Sequence, residues 1–507
     1  MTTIAELVER ASHRYARRVA VVDGNRSLTF AEVGDRSARL ANALVGMSPA
    51  IGSRVAVLLG NRLEFIEIDF AIARAGKVKA PINPRLTDAE RSFILANCGA
   101  EVLFTGRDDK ERVEAMRREL PALRDVVYVD EPAYEDLIAN ACPGSPSVPI
   151  DPDEPSMILH TSGTTGRPKG ATTTQRARVS SMRNMLLDEF CPTENDGMVH
   201  VAPMTHGSGS KILAYFTRGA RNITLAKFDP GTFFEAVAHS GGTGTFVVPT
   251  MIRMLLDAPE RDAAWVSRIR NITYGGAPMP VALAEEAIDA FGPVLTQVYG
   301  SCEAPHPVTV LSQADHVVDD HARLGSAGFP SSGVQIRLVD KAGLDVAAGE
   351  PGELWIHGGN VMSGYWNDVD ATDAAFTDGW YRSGDVATLD DAGLMSIVGR
   401  EREMLISGGL NVYPAEVEAV LHRHDGVSEA AVFGVPDDFW GEVVAAAIVT
   451  RQGRMASEAD IVRHCTDSLA GYKLPRRIIF VDELPKGTTG KVQKSELVEL
   501  ESRGRSR

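Results

Sequence analysis

The sequence predicts an α/β protein with more than one domain. Apolar strand-like runs and amphipathic helical patterns alternate along the N-terminal part of the chain, and this alternation is typical of a mainly parallel sheet covered by helices on both faces. At 507 residues the chain is also longer than a single hydrophobic core usually supports. An apolar fraction of 44% and a charged fraction of 24% are ordinary for a folded globular protein.

The N-terminal elements follow from these patterns. Residues 1–15 mix acidic and apolar side chains as an amphipathic helix does, and they do not resemble a secretory signal. A second helix is expected to follow residues 27–33 and to run to about Val45. The apolar run Arg54–Leu59 predicts a buried strand. After it, we expect Asn61 to cap a helix and Glu64 to complete a capping box.

The net charge limits which partners the protein is expected to bind, and the cysteines indicate the redox compartment in which it works. A net charge of −16 weighs against binding to nucleic acid or to an anionic membrane, because the field of the protein would repel both. No apolar run approaches the ~18 residues of a membrane span. The five cysteines include no CxxC pair, which indicates reduced thiols and no disulfide framework. We therefore expect a soluble cytoplasmic protein. The cysteines are Cys98, Cys142, Cys191, Cys302 and Cys465.

A glycine-rich and hydroxyl-rich loop follows a proline-rich connector at residues 143–155. The apolar run Met157–Leu159 predicts a buried strand, and it leads into the segment His160–Ala171, which reads HTSGTTGRPKGA. Glycines let backbone N–H groups approach an anion, while hydroxyls and an ammonium add donors. No Walker A pattern fits the segment. It therefore predicts a different phosphate-binding loop, with contacts from Thr161, Ser162, Gly163, Thr164, Thr165, Gly166 and Lys169.

The stretch TSGTTGRPKG resembles the phosphate-loop signature of the adenylate-forming superfamily. This superfamily includes acyl-CoA and aryl-CoA synthetases, firefly luciferase and the adenylation domains of peptide synthetases. Further segments that resemble the family's motifs follow in the family's order. They are VAPMTHGSG at 201–209, YGGAPMP at 274–280, QVYGSCEA at 297–304, YRSGDVA at 381–387, VGREREMLISGG at 398–409 and LPKGTTGKVQK at 484–494.

The resemblance implies a nucleotide site. Glu303 would help to hold Mg²⁺, which prefers hard oxygen ligands beside substrate phosphates. Cys302 stands where relatives carry Thr or Ser, and a thiol is a poor donor to a phosphate oxygen. The adenine would contact Gly276, Ala277, Pro278, Gln297 and Tyr299, and the ribose would contact Asp385 and Arg400. Gly300 and Cys302 would also belong to the nucleotide site.

The same resemblance implies an acyl pocket beside the nucleotide. His206 would lie between the acyl group and the nucleotide, and the apolar wall would include Met251, Ile252, Val298 and Pro305. Relatives that activate amino acids carry an Asp near the His206 position, and APMTHGSG has none, which disfavours an α-amino acid. The apolar wall suits an aryl or a fatty acyl group and does not separate the two.

The C-terminal part resembles the family's small domain. Arg402 falls at the hinge, and Gly408 and Gly409 fall where the pantetheine arm passes. Lys491 matches the catalytic lysine. A basic cluster of Lys473, Arg476, Arg477 and Lys486 either binds the phosphates of CoA or is an ordinary solvated surface.

Secondary structure in the C-terminal part also follows from the sequence. Pro414 is predicted to open a helix, and Ser457 with Asp460 is predicted to start another that stops at Gly471. The last seven residues, ESRGRSR, are polar and are expected to be disordered.

The expected fold is therefore α/β. It has a large N-terminal domain of mainly parallel α/β subdomains plus a small β-barrel, followed by a small mobile α+β C-terminal domain. The expected boundaries are 1–399 for the N-terminal domain, 400–402 for the hinge and 403–507 for the C-terminal domain.

The implied reaction is ATP-dependent activation of a carboxylic acid to an acyl-adenylate, followed by transfer to coenzyme A. The expected cofactors are ATP, Mg²⁺ and CoA, and the chain would be a monomer or a homodimer. Two alternatives stay open at this point. The acyl group could pass to an amine or a carrier protein, or the chain could be a non-catalytic acyl-nucleotide sensor.

Overall fold

A computed structural model describes residues 2–161, 168–407, 410–437, 441–451, 454, 456–466, 468–487 and 492–505. The chain forms two compact units. The larger unit comprises Met1–Gly276, Glu285–Gln335 and Ile356–Tyr381, and the smaller unit comprises Ala277–Ala284, Ile336–Trp355 and Arg382–Arg507. The domain boundaries and the hinge at 400–402 stay predictions.

The strands are β1 (Val19–Asp23), β2 (Arg26–Thr29), β3 (Arg54–Leu58), β4 (Val78–Pro81), β5 (Val102–Thr105), β6 (Asp125–Tyr128), β7 (Pro155–His160), β8 (Gly170–Thr174), β9 (Gly197–His200), β10 (Arg221–Thr224), β11 (Gly244–Val247), β12 (Asn271–Gly275), β13 (Leu295–Tyr299), β14 (Thr309–Leu311), β15 (Phe329–Pro330), β16 (Val334–Val339), β17 (Gly352–Gly358), β18 (Gly364–Tyr365), β19 (Phe376–Thr377), β20 (Trp380–Leu389), β21 (Met395–Arg400), β22 (Leu405–Ser407), β23 (Leu410–Val412), β24 (Val427–Asp437), β25 (Gly441–Thr450) and β26 (Arg477–Phe480).

The α-helices are α1 (Ile4–Arg14), α2 (Phe30–Met47), α3 (Leu63–Arg74), α4 (Asp88–Cys98), α5 (Lys110–Arg117), α6 (Pro132–Ala139), α7 (Gln175–Asn184), α8 (Gly207–Thr217), α9 (Pro230–Glu235), α10 (Pro249–Asp257), α11 (Val281–Phe291), α12 (His321–Leu324), α13 (Val369–Ala375), α14 (Pro414–Leu421), α15 (Glu458–Thr466) and α16 (Lys494–Arg505). Within the described ranges, no helix combines the length and the apolar character that a bilayer span requires.

Two mainly parallel sheets form the larger unit, which confirms the predicted α/β class. One has nine strands in the order β15-β14-β13-β12-β11-β9-β10-β1-β2, and the other has seven in the order β18-β8-β7-β4-β3-β5-β6. The pairings from β1 through β10, β9, β11, β12 and β13 are parallel, and β2, β14 and β15 add antiparallel edges. The second sheet is parallel from β7 through β4, β3 and β5 to β6.

Strand β3 shows how helices cover both faces of the second sheet. Val55 and Val57 belong to one hydrophobic cluster, together with residues of α1, α2, α3 and α8 and of strand β1. Ala56 and Leu58 belong to another cluster, together with residues of α4 and α5. Because successive side chains of a strand point to opposite faces, a continuous apolar run is what a doubly covered strand requires.

Two further sheets complete the fold. In one, β20 pairs antiparallel with β19 and with β21, and β16 and β17 complete the five strands; this sheet stands where the resemblance implies a small barrel. The other belongs to the smaller unit and runs β23-β22-β25-β24, with β26 parallel to β25. Helices α14, α15 and α16 accompany this last sheet, which confirms the α+β C-terminal part.

Asn61 does not cap a helix, so the predicted capping box is wrong. Helix α3 begins at Leu63, and its N-cap is Arg62, whose side chain makes no capping hydrogen bond. The Asn61 amide instead donates to the carbonyls of His200 and Ala202, and Asn61 Oδ1 accepts from the Met204 N–H. Tertiary contacts satisfied this buried amide, and a local motif could not reveal them.

The C-terminal tail also differs from its expectation. Helix α16 extends to Arg505 instead of giving way to a disordered tail at residue 501. Leu497 is fully buried in a cluster with Phe433, Val435 and Leu484, so apolar packing on β24 stabilises the helix. Ser457 and Asp460 do cap α15 as predicted: the Asp460 N–H donates to Ser457 Oγ at 3.2 Å, and the Ser457 N–H donates to Asp460 Oδ2 at 3.3 Å. The helix ends at Thr466, before the predicted stop at Gly471.

A buried ion cluster lies between α3, β4 and α7. Asp69 Oδ1 is 2.6 Å from Lys79 Nζ and 2.9 Å from Arg178 Nη2. Burial alone would raise the pKa of Asp69, but the two cations lower it below its ordinary value. Taking one carboxylate away would leave two cations in a buried site, which is costly.

We therefore expect Asp69→Ala to lower the free energy of unfolding by about 3–5 kcal/mol. The control is Asp153→Ala, which removes an exposed partner of Arg176 and should change stability little, because water screens exposed pairs. Urea denaturation followed by circular dichroism measures both variants. Equal effects would contradict the structural role of the Asp69 cluster.

Candidate active site

The two ends of the predicted phosphate loop are held together by strand pairing. Strands β7 and β8 are antiparallel, with His160 opposite Gly170. The Thr161 N–H donates to the Lys169 carbonyl at 2.9 Å, and the Lys169 N–H donates to Thr161 Oγ1 at 3.4 Å. Residues 162–167, which include Ser162, Gly163, Thr164, Thr165 and Gly166, lie outside the described residues.

Lys169 leads to a tyrosine that sequence reasoning missed. Its ammonium lies over the Tyr365 ring, 5.0 Å from the centroid, and the Tyr365 hydroxyl donates to Glu303 Oε1 at 3.0 Å. Burial and the charge of Glu303 raise the pKa of Tyr365 above its usual range, so the hydroxyl keeps its proton. The structure thus joins the end of the loop to the carboxylate predicted to bind Mg²⁺. No sequence signal beyond the run GYW marked Tyr365.

The segment that carries Glu303 is a close-packed turn after β13. A Cβ atom on Gly300 would lie 2.6 Å from the His306 nitrogen and 2.7 Å from its Cα, so only glycine fits there. The Glu303 carbonyl accepts from the Met362 N–H at 2.7 Å. Cys302, the departure from the family pattern, is half-buried beside Glu303. These contacts fix the backbone on both sides of the carboxylate.

The predicted adenine side carries its own hydrogen bonds. The Tyr274 hydroxyl donates to Gln297 Oε1 at 3.3 Å and lies 3.0 Å from His316 Nε2. Gln297 and Tyr299 are half-buried at the end of β13. Gly276 has a φ of +79°, which favours glycine, and the following Ala277 and Pro278 are exposed.

The predicted acyl wall is partly assembled around Phe246. Val298 and Phe246 belong to one buried cluster, and a Cβ on Gly207 would lie 2.8 Å from the Phe246 ring. His206 precedes α8 and its Nδ1 lies 2.9 Å from Thr205 Oγ1. Ile252 is fully buried in α10, whereas Met251 and Pro305 are half-buried.

His306 is a second residue that sequence reasoning missed. Its ring stacks on Phe246, with 5.3 Å between centroids, and its Nε2 lies 2.8 Å from Ser210 Oγ. The Ser210 hydroxyl donates to the Gly207 carbonyl, so its oxygen accepts from Nε2–H and the ring proton lies on Nε2. Nδ1 is then a buried acceptor with no partner among the described residues. Burial and the nearby charge of Lys211 hold the pKa of His306 well below its usual value.

Two predicted ribose ligands meet in the smaller unit. Asp385 on β20 lies opposite Arg400 on β21, and Arg400 Nε is 3.0 Å from Asp385 Oδ1. Asp385 is buried, with 6% of its surface exposed. Arg402 is exposed in a short turn just after β21. Gly408, Gly409 and Lys491 lie outside the described residues.

Three of the four cations in the predicted basic cluster have carboxylate partners. Lys473 Nζ is 2.5 Å from Glu416 Oε1, and Lys486 Nζ is 2.6 Å from Glu429 Oε2. Arg477 is 3.9 Å from Glu501. Arg476 is exposed. A phosphate would have to compete with these carboxylates, so the basic cluster has less free positive charge than the sequence suggests.

The donor set around Glu303 fits Mg²⁺ bound jointly with substrate phosphates. Across the described ranges, no three His, Cys, Asp or Glu side chains are grouped as a protein-only metal centre needs. Mg²⁺ usually takes one or two carboxylates and fills its other positions with water and substrate oxygens. Tyr365 donates to one oxygen of Glu303, and within the described ranges no hydrogen bond to the second oxygen competes with such a ligand role.

We expect Gly300→Ala to weaken nucleotide binding and to cost about 1–3 kcal/mol in stability, because the new methyl overlaps the His306 backbone. Isothermal titration with ATP and urea denaturation measure the two effects. Gly46→Ala in α2 is the control, since a Cβ there meets nothing within 4 Å. That variant should be neutral or slightly stabilised. Unchanged ATP affinity in Gly300→Ala would contradict a rigid turn.

Comparison with protein families gives two matches along the chain. Residues 8–366 match the AMP-binding enzyme family, and residues 416–491 match the AMP-binding enzyme C-terminal domain.

Three relatives are similar to this chain over nearly their full length. A feruloyl-CoA synthase of Amycolatopsis sp. is 38% identical (94% of this chain and 95% of the relative). An indoleacetate–CoA ligase of Aromatoleum aromaticum is 34% identical (99% and 98%). The long-chain-fatty-acid–CoA ligase FadD13 of Mycobacterium tuberculosis is 33% identical (93% and 93%).

Solved structures share the same fold over nearly the whole chain. ATP-bound MatB from Rhodopseudomonas palustris is 28% identical with a TM-score of 0.90, covering 98% of this chain and 99% of MatB. The amide bond synthetase McbA from Marinactinospora thermotolerans is 26% identical with a TM-score of 0.91, covering 98% and 99%. The order of the motifs, the sheets and these similarities agree, and the chain belongs to the AMP-binding enzyme family of adenylate-forming enzymes.

Proposed function

We propose that this chain is an AMP-forming acid–CoA ligase that activates an aryl or fatty acid with ATP and transfers the acyl group to coenzyme A. The observation that carries the proposal is the similarity to acid–CoA ligases over more than nine-tenths of both chains. The ATP-bound relative supports ATP as the nucleotide.

The first half-reaction needs charge compensation and alignment. A carboxylate is a poor acyl donor until its oxygen becomes part of AMP, and both reactants are anions. Positioning and electrostatics can supply most of such a rate enhancement. Residues 161–170 would grip the β- and γ-phosphates, and Lys491 would contact the carboxylate and the α-phosphate. Glu303 would hold Mg²⁺, which supplies positive charge beside the phosphates.

The second half-reaction is thiol attack on the acyl-adenylate. We assign the acceptor to CoA, with Gly408 and Gly409 beside the pantetheine arm and Arg402 as the hinge for domain rotation. Lys473 and Arg476 would contact the phosphates of CoA. The similarity to McbA favours one rival, transfer to an amine. The relatives that match this chain at 33–38% identity are CoA ligases, and this supports the thiol acceptor.

The acyl pocket supports a finer proposal about the acid. Its predicted wall includes the buried residues Val298 and Ile252, and Phe246 packs with Val298; this apolar surface suits an aryl or a fatty acyl group. His306 adds a buried acceptor at Nδ1 that has no partner in the described structure. A buried acceptor without a partner is costly, and a hydroxyl or amino group on the acid would supply the missing donor. We therefore place hydroxyaryl or aminoaryl acids first among substrates.

We expect acid-dependent ATP–pyrophosphate exchange, and acyl-CoA as the product when CoA is supplied. Lys491→Ala should lose exchange by orders of magnitude yet still convert a supplied acyl-adenylate to acyl-CoA, because the lysine acts only on the first transition state. Radiolabelled pyrophosphate and product chromatography measure the two half-reactions. Parallel reactions supply amines in place of CoA, to test which acceptor takes the acyl group.

Three results would contradict this assignment. If no aryl or fatty acid supports ATP–pyrophosphate exchange, the chain would be an acyl-nucleotide binder and not a ligase. Amide formation in preference to the thioester would favour the amine acceptor. Equal loss of both half-reactions in Lys491→Ala would remove the lysine from its assigned role.

His306 predicts a preference within a matched pair of acids. The parent should use a hydroxyaryl acid about 5- to 150-fold better in kcat/KM than the same acid without the hydroxyl, as a hydrogen bond of about 1–3 kcal/mol implies. His306→Phe keeps a ring against Phe246 but removes the acceptor, so the preference should disappear. Steady-state kinetics with both acids measures it. A parent chain that does not discriminate would contradict the assignment.

A further inference from the structure

One short segment bridges the two functional parts of the larger unit. Tyr365 pairs with Ala171 on β8, just after the phosphate loop, and the Trp366 N–H donates to the Gly170 carbonyl at 2.8 Å. At the other end of the segment, the Met362 N–H donates to the Glu303 carbonyl at 2.7 Å. Backbone hydrogen bonds therefore hold the segment against both the loop and the turn.

The Tyr365 side chain lies between two opposite charges. Its ring carries the Lys169 ammonium, and its hydroxyl donates to Glu303 Oε1 at 3.0 Å. The quadrupole of an aromatic ring attracts a cation over its face, and this contact holds the ammonium without an ion pair that would neutralise its charge. A carboxylate that accepts one neutral hydroxyl keeps its full negative charge and a second oxygen. The tyrosine thus orients both groups and leaves both charges available.

We propose that Tyr365 is the positioning residue for the metal-binding carboxylate: its hydroxyl fixes Glu303 so that the free oxygen binds the Mg²⁺ that accompanies ATP. This inference rests on the proposed function. The orienting role is the one that second-sphere partners of metal ligands perform, and their loss typically costs 10- to 100-fold in metal affinity. The ring also keeps Lys169 beside the phosphate loop without an ion pair to Glu303.

The chain offers a matched control for the loss of one tyrosine hydroxyl. The Tyr128 hydroxyl donates to Glu114 Oε1, also at 3.0 Å, on β6 of the seven-stranded sheet. Tyr128→Phe and Tyr365→Phe therefore remove the same chemical contact at the same distance. Only the second contact involves a residue assigned to the metal.

The experiment measures Mn²⁺ binding by electron paramagnetic resonance, with the whole chain and a non-hydrolysable ATP analogue. We expect Tyr365→Phe to bind Mn²⁺ about 10-fold more weakly, at the lower end of the second-sphere range, with the affinity for the metal-free analogue unchanged. Tyr128→Phe should bind Mn²⁺ like the parent. Glu303→Gln should lose the metal affinity. Thermal unfolding of both tyrosine variants gives the purely structural cost for comparison.

The outcomes separate this inference from the proposed function. Parental Mn²⁺ affinity in Tyr365→Phe overturns it, and so does an equal loss in both tyrosine variants. Parental Mn²⁺ affinity in Glu303→Gln also overturns it, because the oriented carboxylate is then not the ligand. Acid-dependent exchange by the parent is measured separately. A parent chain without exchange overturns the proposed function, while the binding data still decide the role of Tyr365.

Discussion

The antiparallel pairing of β7 with β8 is the constraint on which the larger unit's site depends. It sets His160 opposite Gly170 and brings the two ends of the predicted phosphate loop within hydrogen-bonding distance. A Cβ on Gly170 would lie 2.7 Å from Ile158 and 3.2 Å from Trp366, so these two side chains pack closely against the first residue of β8. Because the ends of this loop are already held together, binding a phosphate would not require the conformational entropy loss of closing the loop.

The site draws its groups from two different sheets. Tyr365 lies on β18 of the seven-stranded sheet, and Lys169 directly precedes β8 of the same sheet. Gln297 and Tyr299 lie on β13 of the nine-stranded sheet, and the turn before Glu303 follows that strand. Shared apolar packing joins those sheets, since one cluster takes residues from β1 and β3 together with α1, α2, α3 and α8. A core shared by two sheets gives the predicted site residues a rigid common support.

Sequence reasoning predicted what local patterns encode. The alternation of strands and helices gave the α/β class, and the apolar run of β3 gave its burial on both faces. It failed where distant residues satisfied a side chain, as with Asn61, whose partners lie about 140 positions away. For the same reason it missed Tyr365, 62 positions from Glu303, and His306, 96 positions from Ser210. A sequence motif indicates which side chains are expected to take part in a reaction, but the contacts that orient those side chains are seen only in the folded structure.

The ion pairs of the C-terminal sheet have a consequence for how tightly and how selectively a polyanion could bind there. Lys473 and Lys486 each hold a carboxylate at 2.5–2.6 Å. An arriving phosphate would replace a carboxylate that then returns to water, so binding is an exchange of anions and not a net neutralisation. Such an exchange releases few counterions, and its affinity should vary little with ionic strength compared with binding to a bare basic surface. The surface would then discriminate between polyanions by their shape and length more than by their net charge.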